Sequence, residues 1–249
     1  MVYIAVIFFI SILSYMFKEG HRNEVKSEEV KLHSFTELKP FNLFFISDIH
    51  RRQIAHSIID KVQGKADVIV IGGDLTEKGV PIDRIKQNLV LLQKVAPVFF
   101  VWGNNDYECP DLKDLLESCN VTILKNGSAV LNHGTQQIYL LGVDDASVGT
   151  IDKPSTFSHV PNEGCKILIS HNPVFANRLS EGDSVSLFLS GHTHGGQIRL
   201  FHWGLYPNGG WSERAGMRML VSNGYGTSGV PLRLGAKAET HLITISKEL

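Results

Sequence analysis

A chain of 249 residues, 43% hydrophobic and 20% charged, can form one large globular domain or two small ones around a substantial core. A formal net charge of −1 with no Lys/Arg run excludes a polybasic surface for extended nucleic acid. The three cysteines, Cys109, Cys119 and Cys165, show no CxxC spacing, which excludes a disulfide scaffold and a structural zinc site and favours a reducing compartment.

The first stretch is unlike the rest. Met1 to Phe17 carries no charged side chain and, as a helix, spans about 26 Å at about 1.5 Å per residue. That approaches a bilayer core of about 30 Å, and snorkelling flanks or a thin bilayer close the gap. No Lys or Arg precedes Lys18 and no small-x-small cleavage site follows, so residues 1–17 read as an uncleaved transmembrane or membrane-anchor helix. Lys18, Arg22, Lys26 and Lys31 all follow the apolar run, which places the main domain on the cytoplasmic side of a cell membrane, with the exported face as the alternative. Residues 18–40, polar and without an apolar period, read as a linker closed by Pro40, and residues 41–249 as the main domain.

From Phe41 the elements alternate. Phe41–Ile46, Val68–Ile71 and Val98–Val101 are continuous apolar strands. Helical spacing fits Gln53–Val62 and Ile82–Val95, the latter bounded by Pro81 and Pro97, and Asp111–Cys119 reads as a short helix before Val121–Leu124. A hairpin is expected across His133-Gly134, from Ser128–Asn132 to Gln137–Leu141. Strands follow at Lys166–Ile169, Ser186–Leu189, Met217–Val221 and His241–Ile245, with a short helix at Val174–Leu179 and a Gly-rich loop at Ser222–Gly229. Strand–helix alternation with fully apolar strands is an α/β pattern. Ligands of such sheets bind beyond the carboxyl ends of the strands.

Those ends carry the chemistry. Five of them deliver Asp48 and His50, Asp74, Asn104, His171, and His192 with His194. All are oxygen or nitrogen donors and none is a thiolate, which suits two divalent ions such as Mn²⁺, Fe²⁺ or Zn²⁺. A carboxylate such as Asp74 can bridge two ions about 3.5–4 Å apart. Two cations lower the pKa of a bridging water and supply hydroxide near neutral pH.

The blocks Asp48-x-His50, Gly72-Gly73-Asp74, Gly103-Asn104-x-Asp106, Ser170-His171 and Gly191-His192-Thr193-His194, in this order, resemble the calcineurin-like metallophosphoesterases. The following Gly195-Gly196-Gln197, the tail Gly226–Arg233 and the N-terminal apolar run look like the bacterial membrane-associated phosphodiesterases and lipid-directed pyrophosphatases of that superfamily. The resemblance implies a four-layer α-β-β-α sandwich of two mixed sheets. It implies one metal on Asp48, His50, Asp74 and His194, and another on Asp74, Asn104, His171 and His192. The substrate expected is a phosphodiester or pyrophosphate, with a lipid-linked one suggested by the anchor. Mn²⁺ is the expected ion, with Fe or Zn as alternatives.

One position departs from the family pattern. Asn105 stands where the family usually has histidine, and a carboxamide donates a hydrogen bond without transferring a proton. This favours acidic leaving groups over the alkoxides of simple phosphomonoesters. Arg51 and Arg52 could face a phosphate or be a solvated helix start, and Asn223 and Tyr225 could contact substrate or form a structural turn. Asp144 and Asp145 could support the ligands or cap a loop, whereas His133 reads as a solvated turn residue. The alternatives are a phosphomonoesterase of the same fold, a nuclease acting on short substrates, and a non-catalytic metal-binding scaffold for a protein partner.

Overall fold

Strand alternation determines how the layers stack. The computed structural model describes residues 1–248. In chain order it contains α1 (Val2–Gly20), β1 (Val25–Leu32), β2 (Phe41–Ile46), α2 (His56–Val62), β3 (Val68–Ile71), α3 (Ile82–Gln93), β4 (Val98–Phe100), α4 (Leu112–Ser118) and β5 (Thr122–Ile123). The second half contains β6 (Gly127–His133), β7 (Gln136–Gly142), α5 (Lys153–Phe157), β8 (Cys165–Ile169), β9 (Leu187–Ser190), β10 (Gly210–Arg214), β11 (Met217–Val221) and β12 (Thr240–Lys247). One sheet has the order β1-β12-β2-β3-β4-β5 and the other β10-β11-β9-β8-β7-β6.

Both sheets are mixed. β2 to β5 run parallel while β12 is antiparallel to β2, and β7, β8, β9 and β11 run parallel with antiparallel edges β6 and β10. Because side chains alternate along a strand, Leu43 and Phe45 of β2 face the second sheet and pack with Val70, Ile167, Ile169 and Leu189. Phe44 and Ile46 point the other way, onto Ile58 of α2, Ile85 and Leu89 of α3 and Leu116 of α4. A third cluster covers the far face of the second sheet, where Leu168 and Phe188 meet Phe175 and Leu179. The architecture is therefore the four-layer α-β-β-α sandwich. Its fourth layer is thin, built from the five-residue α5 and a 3-10 turn, Pro173–Arg178, where an α-helix was expected.

Two expectations are corrected. The segment read as a polar linker contains β1, an edge strand paired in parallel with β12 over its whole length. Its alternation was masked because the inward position Glu28 is polar. Its carboxylate is satisfied by Trp211 Nε1 at 2.9 Å and His241 Nδ1 at 2.8 Å, while Val30 and Leu32 are buried. His133, read as a solvated turn residue, is buried against Phe35 and Phe41, and its Nε2 lies 2.8 Å from the Lys39 carbonyl. The chain folds back over the hairpin there and excludes water. The apolar run continues as helix to Gly20, 19 residues or about 28 Å. Among the described residues it is the one helix long and apolar enough to cross a membrane.

Candidate metal centre

The carboxyl ends of β2, β3 and β4 in one sheet meet those of β8 and β9 in the other. The backbone there is unusual. Asp48, His50, Asp74, His192 and His194 all have positive φ, between 50° and 72°. L-residues pay for that left-handed conformation, which persists only where surrounding structure enforces it. Here the enforcement is visible. Asp48 N donates to Gly73 O, and His50 N donates to Asp74 O. A Cβ at Gly224 would strike Asp48, and one at Gly103 would strike Asp74, so both carboxylates are seated against bare backbone.

The side chains converge. Asp48, His50 and His194 bring donor atoms within 4.8 Å of one another, as do Asp48, Asp74 and His171. A single oxygen, Asp74 Oδ2, lies 3.6 Å from His50 Nε2 and 3.3 Å from His171 Nε2. His194 Nε2 lies 3.3 Å from Asp48 Oδ1 and 3.1 Å from His50 Nε2, and His192 Nδ1 lies 3.2 Å from His171 Nε2. Asn104 Oδ1 is buried with no hydrogen-bond partner among the described residues. Buried polar atoms are normally satisfied. Imidazole nitrogens that face each other at these distances, beside two carboxylates and an orphan carbonyl oxygen, are the donor set of a cation site.

Partners outside the cluster orient the candidate donor atoms. His171 Nδ1 lies 2.9 Å from Gly72 O, so it carries the proton and leaves Nε2 as the free donor. His50 Nδ1 sits 2.9 Å from Glu77 Oε2, and Glu77 in turn pairs with Arg51. Asp106 accepts from Asp74 N and Gly103 N, each at 2.8 Å, and from Thr76 N at 3.1 Å. It clamps the loops after β3 and β4 together. Burial, with the neighbouring Asp74 charge, pushes Asp106 up to about 8.

Burial opposes ionisation of Asp74, but the His171 and His50 imidazoles and the Asn105 amide outweigh it and hold its pKa below the usual carboxylate range. Burial likewise opposes a charge on His171, yet Asp74 and Asp48 raise it to about 10. His194 is pushed down to about 3, first by burial, with His50 and Arg233 adding to it. Arg233 Nη2 is 3.0 Å from His194 Nδ1, and a guanidinium can only donate, so this contact holds the ring uncharged. The same buried arginine donates to the carbonyls of Gly226, Asn223, Gly224, His194, Ala236 and Lys237.

The other sequence candidates separate. Asn105 does not point away from the cluster: its N–H donates to Asp74 Oδ1 at 2.8 Å and its Nδ2 to Asp74 Oδ2 at 2.6 Å. Asp145 caps the N–H groups of Ser147 and Val148, and Asp144 accepts from Thr150 N and from the Tyr107 hydroxyl, so the acidic pair closes a loop. Arg52 lies over the Tyr225 ring, 3.6 Å from its centroid, and donates to carbonyls of the segment after α1, a structural role for both residues. Asn223 Oδ1 accepts from Gly209 N. Sequence reasoning assigned no role to Glu77, Asp106 or Arg233. Asp106 stood inside a quoted block and Arg233 ended the Gly-rich tail, whereas nothing in the sequence marked Glu77.

Residues 41–196, more than half of the chain, match the calcineurin-like phosphoesterase family. The chain belongs to that family. As a metallophosphoesterase it is a metal-dependent phosphoric ester hydrolase, and the cluster at the strand ends holds the candidate residues for divalent metals. Among its relatives, YpbG of Bacillus subtilis is 38% identical over 92% of this chain and 90% of that one. The metallophosphoesterase YkuE of the same organism is 28% identical, covering 91% and 87%. A protein described as phosphodiesterase YaeI, of Escherichia coli, is 28% identical over 65% of this chain and 63% of its own. The metallophosphoesterase fold recurs in the Haemophilus influenzae NAD nucleotidase, with a TM-score of 0.54 at 12% identity, covering 75% of this chain and 45% of that one.

Proposed function

We propose that this metallophosphoesterase hydrolyses a phosphodiester or pyrophosphate, lipid-linked, using two divalent metal ions, with Mn²⁺ favoured over Fe or Zn. The observation that carries this reading is Asp74 Oδ2, which lies between His50 Nε2 and His171 Nε2 at 3.6 and 3.3 Å, where a bridging carboxylate belongs. Asp48, His50, Asp74 and His194 would hold one ion, and Asp74, Asn104, His171 and His192 the other. Such ions supply Lewis-acid polarisation of phosphoryl oxygens and a more acidic water.

The chain's own residues narrow the substrate. Asn105 holds both oxygens of Asp74 and has no proton to give a leaving group. General-acid help is worth typically about 10²–10⁴-fold, so esters with acidic leaving groups suffer least from its absence. A cleft of about 740 Å³ is lined by Arg51, Arg84 and Glu77, whose carboxylate contacts His50, and by His21 and Asn23, just past α1. It offers cationic groups to a phosphate close to where α1 would enter a bilayer. The charge pattern after the apolar run favours a cytoplasmic catalytic domain.

A screen of the Mn²⁺-loaded protein across alkyl monoesters, bis-aryl diesters and pyrophosphates tests this reading. Diesters or pyrophosphates should turn over fastest, and Asp74→Ala should lose at least about 100-fold, the scale of removing one preorganised electrostatic group. Equal rates on alkyl monoesters would refute the preference. Unchanged activity in Asp74→Ala would refute the metal assignment.

A further inference from the structure

Among the described residues, two apolar features are largely exposed, and both are tied to the segment Arg233–Leu234. One is α1, whose residues from Met1 to Ile10 are exposed. The other is the loop that follows His194. Leu200, Phe201, Trp203 and Leu205 in it are 66%, 87%, 82% and 83% exposed.

The loop is built, not slack. Leu200 N donates to Trp203 O at 2.9 Å, and Trp203 N donates back to Leu200 O at 3.0 Å, so Phe201 and His202 form a tight tip. Beneath the tip, Arg199 donates to the carbonyls of Gly195, His202 and Tyr206, which locks the loop to the end of the metal cluster. The N–H and carbonyl groups of Leu200 and Trp203 pair with each other and the His202 and Tyr206 carbonyls accept from Arg199, while the large apolar side chains are exposed. Large apolar side chains gathered and exposed on one braced loop mark an interaction surface.

The stem ties the loop to α1. Arg199 N donates to Leu234 O at 2.7 Å, Leu234 N donates to Gln197 O at 2.9 Å, and Arg233 N donates to Met16 O at 3.0 Å. One short segment, Arg233–Leu234, therefore touches both the loop and the last turns of α1. Tyr15 and Phe17 on α1 are each 50% exposed, and Trp203 and Tyr206 on the loop are exposed as well. Trp and Tyr concentrate at membrane–water interfaces, where an apolar ring and a polar edge are both accommodated.

We infer that the loop 198–206 is a second membrane contact: its apolar tip inserts into the interfacial layer of the bilayer that α1 spans, which holds the metal centre against the lipid surface. This rests on the reading of α1 as a membrane anchor. The partner is a lipid bilayer because the loop is continuous with α1 through Arg233–Leu234.

The full-length chain in phosphatidylcholine vesicles provides the test. It has three tryptophans. Trp102 is buried and Trp211 packs on Glu28, leaving Trp203 as the exposed one. Vesicles of dibrominated phosphatidylcholine should quench roughly one tryptophan's share of the emission, and Trp203→Phe should abolish that quenching. Flotation on a density gradient is run in parallel. A chain that fails to float overturns both the anchor reading and this inference. A chain that floats but shows no bromolipid quenching, or the same quenching in Trp203→Phe, overturns the loop contact and leaves the anchor standing. If such a chain also cross-links as a dimer through the loop, the patch joins two copies instead, and the inference is wrong.

Discussion

At the residue scale, Asn105 is the position where sequence and structure together say most. The family pattern usually has histidine there, yet in this chain the residue donates twice to Asp74, through its N–H and its carboxamide. Its first effect is therefore to orient the proposed bridging carboxylate. Asn105→Ala should weaken metal loading and lower activity on a bis-aryl diester by about 10- to 100-fold, the usual cost of losing a group that orients a ligand. Asn105→His should recover part of that loss and favour alkyl esters, because an imidazole can both donate to Asp74 and supply a proton near neutral pH. Comparing kcat/KM for alkyl and aryl esters checks this. An unchanged alkyl-to-aryl ratio in Asn105→His would show that the missing proton donor does not set the preference.

At the element scale, β1 determines how the strand edge of the first sheet is finished. It brings Glu28 to His241 of β12, and Glu239 closes the other side of that ring at 3.5 Å. Burial opposes a charge on His241, but Glu239 and Glu28 outweigh it and raise its pKa. A histidine whose folded pKa is raised above about 6.5 contributes stability below that value and loses it as pH climbs through the folded pKa. Glu239 is shifted the other way. Burial is outweighed by His241, its hydrogen bond to Asn223 N and Lys26, and the group falls to about 2. Its contribution is present above the ordinary carboxylate pKa of about 4.3 and disappears on acidification below it. The cluster should therefore stabilise most between about pH 4.5 and 6.5. Urea midpoints should fall from pH 6 to pH 9 in the wild type, and His241→Asn should flatten that fall. An identical pH dependence in the variant would remove the cluster from the account.

On the scale of the whole molecule, the proposed ligands come from both sheets. Asp48, His50, Asp74 and Asn104 follow strands of the first, and His171, His192 and His194 follow strands of the second. Metal bound there would cross-link the two halves of the sandwich at one end. Binding to the folded state alone contributes about 2.7 kcal/mol at one hundred times Kd. For a chain of this size, each kcal/mol moves Tm by roughly 2–4 °C. Saturating Mn²⁺ should thus raise Tm by about 5–10 °C over chelator-treated protein, and Asp74→Ala should lose most of that rise. Calorimetry with and without Mn²⁺ checks it, and equal shifts in both proteins would place the metal elsewhere.

Much of this molecule was legible in one dimension because the relevant signals are local. Continuous apolar runs such as Val68–Ile71 mark strands buried on both faces, and the oxygen and nitrogen donors just past them mark the candidate site. The uncharged run through Phe17 likewise announces a long apolar helix. What the tertiary structure alone decided depends on partners far apart in the chain. Glu28 hid β1 from any period-two pattern, because the histidine that satisfies it lies 213 residues away. The buried His133, the arginine facing His194 and the carboxylate behind His50 are decided in the same way, by what packs against them. So is the left-handed backbone at five of the seven proposed metal ligands. Residue identity determines which atoms can bind a cation, but only the closed sandwich can hold them in a conformation that isolated chain would abandon.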